Sequence, residues 1–151
     1  MSRPPPTTRT DHRLLHAITT RWMDNDAYGH VNNVIYYSWF DTVVNHFLIQ
    51  AGCLDIARSA EVGLMVESGC RYHRSITYPD AVTIGMRIAR LGTSSVRYEL
   101  AAFRNAEDTA SADAHLVHVY VDRATQRPVP IPDLARAAMQ RLLVYPGEQG
   151  A

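Results

Sequence analysis

The chain has 151 residues, with 15 Lys and Arg against 15 Asp and Glu, and 46% of its residues are apolar. This length suits one domain with a substantial core, and zero net charge removes the electrostatic footprint of a nucleic-acid or acidic-membrane binder. Cys53 and Cys70 are isolated and form no C-x-x-C pair. No basic-then-apolar leader opens the sequence and no apolar run suffices to span a bilayer, so a reduced, cytoplasmic protein is expected.

Taken in order, residues 1–12 read as a flexible tail, because Pro4-Pro5-Pro6 and the polar residues around them offer nothing to bury. Leu14 to Trp22 reads as a first strand carrying the β-branched Ile18, Thr19 and Thr20. A polar turn, Asp24-Asn25-Asp26-Ala27-Tyr28-Gly29-His30-Val31-Asn32-Asn33, follows and is rich in cap and turn residues. From Asn33 to Ala51 there is neither Pro nor Gly, and Gly52 stands where a helix terminates. That helix is apolar over most of its circumference, with one narrow polar stripe of Ser38, Asp41, Thr42, Asn45 and His46. Such a helix is expected to be buried.

Leu54 to Gly63 reads as a connection, and Leu64 to Thr77 as a second strand bent near Ser68-Gly69. Tyr78-Pro79-Asp80 marks a turn. Ala81 to Leu91 alternates cleanly, with Val82, Ile84, Met86 and Ile88 on one face. Val96 to Arg104 and Ala114 to Asp122 are the remaining strands, with a hairpin loop at Asn105 to Ser111. Asp133 to Leu143 predicts a short helix with Leu134, Ala137, Ala138, Arg141 and Leu142 on or near one side. Residues 146–151 read as a second flexible tail. The order of strand, buried helix and four strands joined by short turns predicts an α+β domain over residues 13–145, its antiparallel sheet curved around the helix.

The turn also carries chemistry. Carboxylates and amides gather where a helix start leaves backbone N–H groups unpaired, and those groups with the helix dipole favour negative charge. Acyl transfer needs this pairing of a carboxylate with free N–H donors for a developing oxyanion. The stretch R-W-x-D-x-D-x-x-G-H-V-N-N-x-x-Y-Y, Arg21 to Tyr37, resembles the signature of hotdog-fold thioesterases, notably the 4-hydroxybenzoyl-CoA thioesterase-like acyl-CoA hydrolases. Its D-x-D-x-x-x-H-V-N-N core also resembles plant acyl-ACP thioesterases. The likeness extends through Tyr72 to Asp80 and Leu91 to Val96.

The resemblance implies a hotdog fold and a homodimer or homotetramer whose acyl site lies at the dimer interface. The implied activity is hydrolysis of an acyl-CoA or acyl-ACP thioester without a metal or cofactor, coenzyme A entering only as part of the substrate. Asp26 matches the second Asp of D-x-D, the family's nucleophile or general base; the competing structural reading is a turn aspartate. The resemblance places an oxyanion-binding amide at Asn33. Gly29 would allow the substrate to approach closely, and His30 would orient Asp26 or assist proton transfer. Asp24 reads as structural, accepting loop N–H bonds or pairing with Arg21. Glu67 and Ser68 would line the pocket across the interface, and Arg71, Arg74, Arg90 and Arg97 are candidates for phosphate contacts. No metal-ligand spacing appears among the seven histidines, and Ser94 and Ser95 lack the G-x-S-x-G elbow. A hotdog hydratase using His30, or a non-catalytic acyl-CoA-binding module, would be the alternatives.

Overall fold

The computed structural model describes residues 2–145; the expected tail at 146–151 lies outside them. The elements run β1 (Leu14–Ile18), α1 (Asn33–Gln50), β2 (Glu61–Tyr72), β3 (Val82–Leu91), β4 (Ser95–Arg104), β5 (Ala112–Asp122) and α2 (Asp133–Gln140). The strands form one antiparallel sheet in the order β1-β3-β4-β5-β2. With α1 laid in its curve, this is the expected α+β hotdog fold.

Strand alternation builds the core. Ile84, Met86 and Ile88 of β3, Val96, Tyr98 and Leu100 of β4, and Ala112, Ala114 and Leu116 of β5 face α1. The helix answers with Tyr36, Trp39, Phe40, Val43, Val44 and Leu48, all buried. These positions recur at spacings of three and four and make one stripe. Its composition predicts burial nearly all round, but within one chain Val34 and Ile49 are exposed beside the polar stripe. No helix among the described residues is long and apolar enough to cross a membrane.

Three expectations are corrected. The first strand ends at Ile18, and a single 3-10 turn, Trp22–Asp24, follows; the Thr20 hydroxyl donates to the Asp80 carbonyl rather than extending a ladder. The second strand lies earlier, and its irregularity falls between Met65 and Glu67, not at Ser68-Gly69. In α2 the buried residues are Ala135, Ala138 and Met139, while Leu134 points to solvent, so the buried face is turned from the expected one.

The expected tail is also docked from Thr7 onward. Thr7 donates its amide and its hydroxyl to the Asp113 carboxylate, and Ala110 donates to the Thr7 carbonyl at 2.9 Å. His12 is buried against Gly85, where an added Cβ would meet its ring at 2.8 Å. Arg9 lies 5.0 Å from the centroid of the Phe103 ring. Phe103, Ala101 and Ala110 form a small apolar patch on the sheet face away from α1, and covering it is what the segment gains.

β2 stands at the sheet edge opposite β1. Its Leu64, Met65 and Val66 are exposed.

Candidate active site

The turn before α1 is fixed chiefly by its own main chain. Asp24, fully buried, accepts from the Arg21 amide at 2.8 Å and from the Arg21 guanidinium at 2.9 and 3.0 Å. Its carbonyl receives the Asn32 amide at 2.9 Å. Asp24 is thus the structural member of D-x-D, locking the loop entry to the helix cap. The Asn25 side chain accepts from the Tyr78 amide at 3.0 Å, and Val31 donates to the Ile76 carbonyl at 2.8 Å, so the segment after β2 holds the turn from outside.

Asp26 sits at the heart of this frame. Its amide donates to the His30 carbonyl at 2.8 Å, and its carbonyl receives the Gly29 amide at 3.1 Å. Gly29 has φ +82°, the left-handed conformation that suits glycine. One carboxylate oxygen of Asp26 accepts from the Tyr28 amide at 2.8 Å. No hydrogen bond joins the His30 ring to that carboxylate among the described residues.

At the helix start, Asn32 is the cap and accepts the Val34 amide at 3.1 Å through its side chain. The neighbouring Asn33 amide has no acceptor among the described residues. An open N–H donor therefore stands at the position where the resemblance puts the oxyanion contact.

His30 and Asn33 border a pocket of about 230 Å³ with Tyr36, Tyr72, His73 and Ser75. Tyr72 donates its hydroxyl to the Asn33 carbonyl at 3.4 Å and meets the Tyr36 ring edge-on, with centroids 5.1 Å apart. Burial raises both phenols above their usual range, so they stay neutral donors at physiological pH. Burial likewise pushes the neighbouring Cys70 thiol up to about 11, which removes it as a thiolate nucleophile.

Asp26, Gly29, His30 and Asn33 are thus held on one loop and helix start. Glu67 is not brought to them within the chain. It lies on the sheet face away from α1, 3.0 Å from His115 and 3.7 Å from Arg97, because the irregularity at Met65–Glu67 resets the alternation of β2. Sequence reasoning gave Tyr36, Tyr72 and His73 no role at the site. Tyr36 and Tyr72 each carried a signal, since Tyr36 stands at the close of the Arg21-to-Tyr37 signature and Tyr72 opens the Tyr72-to-Asp80 motif. Among the described residues no three metal-ligating side chains gather.

The model of the thioesterase-like superfamily matches residues 20–139. The chain is similar to the PA5185 protein of Pseudomonas aeruginosa strain PAO1, with 47% identity over 92% of this chain and 97% of that one and a TM-score of 0.90. A second protein of Pseudomonas aeruginosa, PA2801, for which a thioesterase role is inferred, is 32% identical over 84% of this chain and 96% of that one, with a TM-score of 0.76. A thioesterase from Thermus thermophilus, solved with coenzyme A and Zn, is 26% identical over 87% and 95% of the two chains, with a TM-score of 0.72. No curated protein matches the chain in sequence. Motif, wrapped helix and these likenesses agree: the chain belongs to the thioesterase-like superfamily and has the hotdog fold.

Proposed function

We propose that the chain is an acyl-CoA thioesterase, cleaving a thioester with water to a free acid and coenzyme A, with the Asp26 carboxylate as its reacting group. The observation that carries this reading is the open Asn33 amide at the start of the helix that follows the Asp26 turn. A thioester carbonyl seated there turns its oxygen toward the amide and the positive end of the helix dipole. Both favour the negative charge that develops on attack.

A carboxylate at this position has two ways to act. As nucleophile, one oxygen of Asp26 bonds to the acyl carbon, the C–S bond breaks, and water then hydrolyses the mixed anhydride. As general base it takes a proton from water as that water attacks. Either way the thiolate of coenzyme A leaves with little acid help, because a thiol of pKa ~8.5 is a good leaving group. His30, tied through its carbonyl to the Asp26 amide, positions the turn. No cofactor or metal enters this scheme.

The unit is proposed to be a homodimer joined through β2. That strand is a long edge with exposed apolar side chains, the kind of edge that soluble proteins cover. A partner there would also cover Val34 and close the pocket beside Asn33.

The test is thiol release from a panel of aromatic and aliphatic acyl-CoAs, run on wild type and Asp26→Asn. Release by wild type and loss in the variant support the assignment. Full activity in a correctly assembled Asp26→Asn protein would overturn it.

A further inference from the structure

A second cavity is larger than the pocket beside Asn33. It has a volume of about 600 Å³ and lies on the sheet face away from α1, roofed by Pro4, Pro5 and Thr7. This size lies within the range of about 300–1,000 Å³ usual for small-molecule sites. We infer that this cavity is a binding site for a small polyanion, a molecule with two or more phosphate or carboxylate groups, with Arg71 and Arg97 as its anchoring cations.

In and beside the cavity three arginines, Arg71, Arg87 and Arg97, face three carboxylates, Glu67, Glu99 and Asp113, and two of the arginines are loosely held. Glu99 is taken by Arg87 at 2.9 Å, and the Arg87 guanidinium also donates to the Asp11 carbonyl. Asp113 is taken by His73 at 3.0 Å and by Thr7. Glu67, beside the cavity, is taken by His115 at 3.0 Å. Each carboxylate therefore has a close partner already. Arg97 reaches only longer contacts, 3.4 Å to Glu99 and 3.7 Å to Glu67. The Arg71 side chain makes no hydrogen bond or ion pair among the described residues.

Arg97 on β4 and Arg71 on β2 are separated by β5 and by the offset from the Val117 row to the Asp113 row. Two separated guanidinium groups around one cavity match a ligand with more than one anionic group, each able to take paired N–H donors.

The sheet itself makes the room. An added Cβ at Gly69 would meet the His115 ring at 2.5 Å, and at Gly85 the His12 ring at 2.8 Å. Glycine at these two points lets the imidazoles lie down on the sheet instead of filling the cavity. Thr7, bonded to both Asp113 and His12, fastens the roof over them. Neither Asp26, Gly29, His30 nor Asn33 lines the cavity, although His73 borders both it and the pocket beside Asn33; the inference does not rest on the thioesterase reading.

The test is calorimetric titration of the full chain at low ionic strength with inorganic pyrophosphate and with citrate. Wild type, Asp26→Asn and Arg71→Gln/Arg97→Gln are compared. At least one probe binds wild type and Asp26→Asn alike, and binds the double variant at least about 10-fold more weakly, as the loss of charge-assisted contacts requires. The better probe tells phosphate from carboxylate. Should the double variant fail to fold, Arg71→Gln alone serves, with a loss of at least about 3-fold, its side chain being unpartnered in the free protein. No binding of either probe to wild type, or equal binding by the arginine variants, overturns the inference. Displacement of bound coenzyme A by the probe also overturns it, since the cavity would then belong to the substrate site.

Discussion

The amide of Asp26 donates to the carbonyl of His30 at 2.8 Å, so the main chain, not an imidazole–carboxylate contact, sets the spacing of these two residues. Asp26→Asn keeps an oxygen for the Tyr28 amide and leaves that bond intact. It should lose at least about 100-fold in kcat while its stability stays within about 0.5 kcal/mol of wild type. His30→Ala keeps the same carbonyl and should lose less than about 10-fold, the range of a positioning group rather than of a general acid–base. Steady-state kinetics on both variants decides this. An equal loss in the two would give the imidazole a direct part in the reaction.

The other aspartate of the pair has the opposite profile. Asp24 is fully buried and receives three bonds from Arg21, whose side chain is 58% exposed. Because that guanidinium can return to water, the ion pair itself contributes little. The Arg21 amide loses its acceptor and the loop loses its anchor, so Asp24→Ala should cost about 2 kcal/mol. Urea unfolding should show a lower midpoint with an unchanged slope. An unaltered midpoint would refute this structural role.

The pairing of Asp24 with Arg21 was legible in the sequence, as were α1 and the three strands β3 to β5, because their signals are local. The cap, the alternation and the helix period all lie within the elements they define. What was not legible depends on distant partners. Thr7 is fixed by Asp113 and Ala110, far along the chain, so a proline-rich opening reads as tail. The face that Glu67 takes was not legible either, because one irregularity in β2 exchanges the faces of the strand. The large cavity was invisible for the same reason: its arginines come from different strands, and its room comes from two glycines that no local pattern marks.

Stability should fall in acid because of His12. Burial lowers its pKa from 6.5 to about 4, with the Arg87 charge adding to the shift. A histidine lowered in the native state binds fewer protons there than in the unfolded chain between these two values. The protein therefore has its full stability from this group above pH 6.5, loses it as pH falls, and stops losing it below about pH 4. From pH 7 to pH 5 the loss from His12 alone is about 2 kcal/mol. His118, also lowered by burial, acts in the same direction. Urea midpoints at the two pH values should converge in His12→Gln relative to wild type. An undiminished gap would show that His12 is not the group responsible.

Tyr98 offers a substitution that should do no harm. Its side chain is fully buried beside His118, with ring centroids 5.3 Å apart, and its hydroxyl has no hydrogen-bond partner among the described residues. An unsatisfied buried hydroxyl carries its desolvation cost without return. Tyr98→Phe should match wild type or exceed it by about 1 kcal/mol. A clear loss of stability in the melting curve would mean that the hydroxyl has an acceptor in the native state in solution.

The proposed dimer can be tested at its most exposed apolar point. Val66 sits at the irregularity of β2 and is 60% exposed in the single chain. A charge there would face the partner's edge in the joined sheet, where it would be stripped of water without a counter-ion. Val66→Asp should therefore give a monomer in analytical ultracentrifugation, with the native circular dichroism retained because the side chain has no core contact to lose. Hydrolysis should fall with the dimer, since the pocket beside Asn33 would lose the covering that a partner's β2 supplies. A Val66→Asp protein that sediments as wild type would move the interface away from β2. A monomer that keeps full activity would show that one chain completes the site alone.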